Sequence, residues 1–170
     1  ISAFREMDAN TSSDLGGPDG PTVAAFRKGL DILAEKSDVD IQLLATPGMR
    51  VPGITDYAVD KTEERFDALY IMDMSAYDHD NKIVTQSSQE TSVTNTVQNL
   101  ANRNLDTSFA ATYFPDLVIQ DGSTNVVAPP SVAVLGAMSL NDSVAHPWFA
   151  PAGFARGALA STIETGAKLS

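Results

Sequence analysis

Two short apolar runs, "VDIQLLA" at residues 39–45 and "DALYIMDM" at 67–74, most constrain what this chain can fold into. Each is short, rich in aliphatic residues and bounded by turn or polar residues, so each predicts a buried strand. A buried strand needs layers packed against it, and the segments between these runs carry helical patterns. Pro21 suits the first turn of a helix, and Val23, Phe26, Leu30 and Leu33 recur at helical spacing to about Glu35. "TPGMRVPG" breaks the first strand, and a polar helix is predicted from about Thr55 to Phe66. After the second strand comes the loop "SAYDHDN". Val93, Val97 and Leu100 then mark a helix within "TSVTNTVQNLANRN". "FAATYFPDLVIQD" is predicted to be extended, with Pro115 forcing an edge, a bulge or a break. "APPSVAVLGAMSL" starts a last helix at the pair Pro129 and Pro130, which fixes two φ angles and removes two N–H donors.

The resulting order is helix, strand, helix, strand, helix, strand, helix. Short connections in such an alternation predict an α/β fold, a mainly parallel or mixed sheet flanked by helices in a single layered domain. The length of 170 residues suits one domain. The start at Ile1 and the ending "ETGAKLS" lead us to expect a fragment of a longer protein.

Charge narrows the function classes. The net charge is -11 and there is no basic run, which argues against a phosphate-binding surface and direct nucleic-acid contact. No stretch is apolar for the ~20 residues of a membrane span, and there is no signal-peptide pattern, so no membrane insertion is expected. The absence of cysteine excludes disulfides and thiolate sites. Charge is also uneven: residues 1–105 carry 26 charged side chains and residues 106–170 carry seven. A thinly charged third predicts either a core or a surface covered by a neighbour.

Several patterns carry candidate chemistry. Asp8, Asn10, Ser12 and Asp14 alternate like the ligands of a calcium loop, but Ser13 stands at the glycine position and Asp19 at that of the bidentate Glu. A solvated turn-rich loop is the better reading. Asp78, His79 and Asp80 follow a strand, where open α/β sheets bind ligands, yet adjacent loop residues rarely converge on one ion. A nucleophilic triad would have to use His79 or His146, and neither a G-x-S-x-G elbow nor a glycine-rich setting surrounds a serine such as Ser131. Phosphate and dinucleotide cradles are missing as well. No catalytic, metal or cofactor residues are therefore expected.

What stands out is structural. Gly136, inside a predicted helix, costs roughly 1 kcal/mol against Ala, so close packing is expected there. "HPWFAPAGFARGAL", residues 146–159, combines the only tryptophan, Trp148, with Phe149, Pro151, Gly153 and Arg156. Two prolines and a glycine make a stiff connection, and the aromatics offer large area to bury. One expectation is a plug that closes the domain core. The sharper one adds that this loop helps form a subunit contact. Arg156, a lone cation between Asp142 and Glu164, is a candidate for an ion pair within or between subunits.

"PPSVAVLGAMSLND" followed by "HPWFAPAGFARG" resembles the tail sheath proteins of contractile phage tails and related injection machines. "GPDGPTVAAFRKGLDILAEKSDVDIQLLATPG", "RFDALYIMDM" and "SFAATYFPDLVIQD" are similar to further segments of that family, in the same order, so the resemblance runs from Gly17 to Gly157. Asp116 departs from the pattern, standing where an aromatic is expected. The resemblance implies the core α/β region of a sheath protein, likened in fold to subtilisin-type proteases, without the family's linking terminal regions; with it, "HPWFAPAGFARGAL" is expected to be a rigid, apolar connection from that core to a C-terminal domain, anchored by Trp148. It implies a non-enzymatic structural subunit that needs no cofactor. Such subunits form hexameric rings stacked helically around a tail tube, between a baseplate and a tail terminator. Contraction then drives the tube through the host envelope to deliver a genome or an effector. The implied location is the virion tail, assembled in the host cytoplasm. A subtilisin-like hydrolase domain, active or inactive, and a calcium-binding module are the alternatives.

Overall fold

The computed structural model of the chain describes residues 20–85, 89–146 and 148–167. The calcium-like stretch Asp8–Asp19 lies outside the described residues, as does Pro147. The chain folds as a mixed α/β protein with two small sheets, one parallel and one antiparallel.

The parallel sheet is built as the apolar runs require. Strand β1 (Leu43–Ala45), helix α2 (Pro52–Arg65), strand β2 (Leu69–Asp73), helix α3 (Val93–Asn102) and strand β3 (Ala110–Tyr113) follow helix α1 (Pro21–Ala34). The strand order is β1-β2-β3, with Leu44 opposite Tyr70 and Tyr70 opposite Ala110. Central β2 has Tyr70, Ile71, Met72 and Asp73 all buried. Alternation sends Tyr70 and Met72 to one face, where they join Val23, Leu30, Ile54, Ala58 and Val59 from α1 and α2 in the hydrophobic core. Ile71 and Asp73 point to the other face. That face is met by helix α4 (Pro130–Val144), which packs on β2 and β3.

A buried arginine locks the first layer. Arg65 ends α2 and is 3% exposed. Its guanidinium donates to the carbonyls of Leu33 (2.6 Å) and Val39 (2.5 Å) and pairs with Asp67 at 2.7 Å. It thereby satisfies carbonyls at the end of α1 and before β1. Helix α2 begins three residues earlier than Thr55, because Pro52 occupies its first turn after the extended Val51.

The expected single extended segment through Pro115 is two strands in two sheets. The Phe114–Pro115 bond is cis, and strand β4 (Leu117–Asp121) leaves the parallel sheet there. It centres the antiparallel sheet, ordered β5-β4-β6, with strands β5 (Thr124–Ala128) and β6 (Thr162–Thr165) at its sides. Gly122, at φ 60°, makes the tight turn between β4 and β5. Asp116, just before β4, ties the loop after β1 and the end of β6 together. Its carboxylate accepts from Arg50 at 2.7 and 2.8 Å, and its carbonyl accepts from Gly166 N at 2.6 Å. A Cβ on Gly166 would sit 2.9 Å from that carbonyl, so only glycine fits this approach. No helix among the described residues is long and apolar enough to cross a membrane.

Candidate assembly surface

Helix α4, "PSVAVLGAMSLNDSV", is rich in apolar residues, with Ser139, Asp142 and Ser143 exposed among them. Its buried residues are Pro130, Ser131 and Asn141. As expected, the proline pair launches it: Pro129 is extended at the N-cap and Pro130 enters the first turn. Ser131 fastens that turn to the sheet, since its N–H and hydroxyl both donate to Asp73, at 3.1 and 2.7 Å. The other Asp73 contact is Gly48 N at 2.9 Å. The buried carboxylate thus accepts three hydrogen bonds, which is what such a group requires.

The far end of α4 is fastened by Asn141. Its side-chain amide donates to Phe149 O at 2.8 Å, and its amide oxygen accepts from Arg156 at 3.3 Å. One buried side chain therefore holds both limbs of the turn that follows the helix. Within the turn, His146 stacks on Trp148 with ring centres 4.6 Å apart and planes 5° from parallel. Phe149 meets both rings edge-on, and the Arg156 guanidinium lies 5.1 Å from the Phe149 ring centre. Gly153, at φ 73°, opens the single helical turn α5 (Gly153–Arg156), a backbone conformation that favours glycine. Pro151 just before it is exposed.

The aromatic turn does not plug the core. Trp148 is 76% exposed, Phe149 44% and Phe154 fully exposed. The rings pack on one another and on Arg156, with their outer surfaces in water. One further expectation is corrected. Gly136 is exposed, and a Cβ on it would meet nothing within 4 Å, so no close packing among the described residues requires it. Arg156 makes no ion pair with Asp142 or Glu164 of its own chain among the described residues; there it bonds Asn141 and covers Phe149.

Along α4 the exposed aliphatic residues Val132, Leu140 and Val144 stand four or eight apart, with Gly136 between the first two. That spacing places them in one line on the outer face, running into the aromatic turn. The line and the turn, residues 132–156, carry only Asp142 and Arg156 as charges. Elsewhere, Val126, Val127 and Ile163 leave the antiparallel sheet partly uncovered as well.

The groups weighed as chemistry are held in structural roles. Ser131 is buried, its hydroxyl bonded directly to Asp73 with no imidazole between them. His146 lies past the opposite end of α4, ~20 Å along the helix axis from Ser131. The His79 carbonyl accepts from the Asn95 side chain at 3.3 Å on an exposed loop. Ser131 and His146 so placed do not share a hydrogen bond. In "DHDN", Asp78 Oδ1 accepts from the N–H groups of Asp80 and Lys82, a self-contained turn. No group of three or more His, Asp or Glu among the described residues is placed to hold a metal ion.

Asn141 and Asp73 were not singled out by sequence. Their signals were a lone amide in the last turn of an apolar helix and a lone carboxylate inside an apolar strand. No protein-family model matches the chain, and no curated protein sequence matches it.

Proposed function

We propose that this chain is a structural subunit of a contractile tail sheath, and that it acts by packing against copies of itself rather than by catalysis. The observation that carries the reading is the uncovered, nearly uncharged surface of α4 and the aromatic turn, held at both ends by buried hydrogen bonds. A surface of this kind on a soluble monomer marks an interaction site. It coincides with "PPSVAVLGAMSLND" and "HPWFAPAGFARG", the segments that resemble the sheath family most specifically. In this reading subunits form hexameric rings stacked around a tail tube, with a baseplate and a tail terminator at the ends. The whole lattice shifts together between two packings, as bistable assemblies do. The acidic remainder of the surface keeps unassembled copies apart. The subunits assemble in the host cytoplasm and reside in the virion tail.

Negative-stain electron microscopy of the full-length parent protein at high concentration tests the reading. Hollow tubes with a helical surface repeat support it; dispersed globular particles under every assembly condition reject it. A serine-directed activity probe adds a second arm, because stoichiometric labelling would favour a hydrolase.

A further inference from the structure

We infer that the antiparallel sheet opens as a separate unit while the parallel layer stays folded, and that the Arg50–Asp116 ion pair is the latch that holds it closed. The inference concerns a single chain and does not rest on assembly. The sheet has little to pack on. Neighbouring residues of a strand point to opposite faces, and Val126 and Val127 of β5 are 43% and 49% exposed, so neither face of that strand is covered among the described residues. Burial also falls away along β4, from buried Leu117 through Val118 and Ile119 to the exposed Gln120 and Asp121. The three strands pack closely on one another, and no other helix or strand packs on them to a like extent. A three-stranded sheet needs a covered apolar face, or a helix against it, to stand alone.

The sheet is held at its base. Leu117 and Ala167 are buried there, and the Asp116 carbonyl accepts from Gly166 N, which gathers β4 and β6 at one point. Among the described residues, the only hydrogen bonds from this sheet and its base to the parallel layer are those that the Arg50 guanidinium donates to the Asp116 carboxylate. Both side chains of the pair are partly exposed, so dissolved salt reaches it.

The elements on either side have fastenings of their own. β3 is paired with β2, Ser131 ties the start of α4 to Asp73, and Asn141 holds the turn after α4. Loss of the latch therefore frees residues 116–128 and 161–167 and leaves the rest in place. Segments with few buried apolar contacts open at a lower free energy than the core, and they open together where they are paired with one another.

The test is native-state amide hydrogen exchange of the dilute 170-residue chain, read strand by strand, with Asp116→Asn and Arg50→Gln beside the wild type. In the wild type, β4, β5 and β6 should share one level of protection, at least about tenfold below that of Ile71 and Met72 in β2. Asp116→Asn keeps the backbone carbonyl that Gly166 uses and removes the charge. Protection of the three strands should then fall together by about fivefold, with β2 unchanged. Arg50→Gln should do the same from the other side of the pair. In about 1 M NaCl, where screening acts within ~3 Å, the wild type should approach the variants while the variants barely respond. Strands as well protected as β2, or three strands at three levels, overturn the separate unit. Variants that exchange like wild type, or that lower β2 by the same factor, overturn the latch. So does a salt response of equal size in wild type and variants.

Discussion

The Ser131 hydroxyl donates to the Asp73 carboxylate at 2.7 Å, and both residues are about 1% exposed. The bond ties the first turn of α4 to the end of the central strand. The position of the proposed assembly surface is therefore set from inside the core.

Replacing Asp73 by Ala leaves Gly48 N, Ser131 N and the Ser131 hydroxyl without their shared acceptor. Hydrogen bonds to a charged group are worth ~1.5–3 kcal/mol each, and buried donors left unpaired add cost. We expect Asp73→Ala to lose about 4 kcal/mol in urea denaturation and Ser131→Ala about 2 kcal/mol. A loss below about 1 kcal/mol for Asp73→Ala would show that the pair does not fasten α4.

Arg65 is the second buried fastening. Lysine keeps the charge but not the planar fork that reaches two carbonyls and Asp67 together. Arg65→Lys should cost about 3 kcal/mol, read as a lower denaturation midpoint with an unchanged slope. Wild-type stability in this variant would mean that the guanidinium geometry is dispensable.

Tyr70 makes the fold sensitive to alkali. Burial raises its phenol from 10.0 to about 12, a rise that the hydrogen bond with Thr46 only partly offsets. Because the folded pKa is the higher one, the unfolded chain loses this proton first. The contribution is complete below pH 10, declines between about 10 and 12, and is gone above that. A rise of this size is worth on the order of 3 kcal/mol. Stability measured across this range should fall more steeply for wild type than for Tyr70→Phe; equal slopes would refute the assignment.

The turn after α4 divides its roles between two residues. Trp148 faces water, so Trp148→Ala should change the unfolding free energy by about 0.5 kcal/mol or less. Asn141 is buried and holds both limbs, so Asn141→Ala should cost about 2 kcal/mol. Self-association should weaken in both. Trp148→Ala that melts early would restore the core-plug reading.

How much of this was legible varies with the physics behind each element. "DALYIMDM" and "VDIQLLA" were readable as strands because burial demands continuous apolar runs, and Pro130 was readable as a helix start because its ring fixes φ. Helix α3 was placed correctly from Val93, Val97 and Leu100. Even so, Val93 and Val97 are exposed, and the buried side chain is Thr96, whose hydroxyl donates to Ser92 O. Periodicity locates a helix without saying which face a small sheet can cover. The β4–β5 hairpin was missed although Asp121-Gly122 carries its turn signal, and β6 was missed because "TIET" is short and three of its four residues are polar. Both belong to the second sheet, which forms by long-range pairing that no local pattern records. For the candidate surface, composition singled out Trp148 and Gly136, but whether rings face a core or water is decided by tertiary packing that composition does not record.

The single tryptophan also divides what can be seen of the molecule. The core aromatic on the central strand is Tyr70, while the one indole lies outside, stacked on His146. Unfolding moves the indole from one wet setting to another and should barely shift its emission. Docking of another copy would remove it from water and move that emission to shorter wavelength. Folding and association therefore report on separate optical channels, so the assembly of this chain can be followed in its natural sequence without any attached dye.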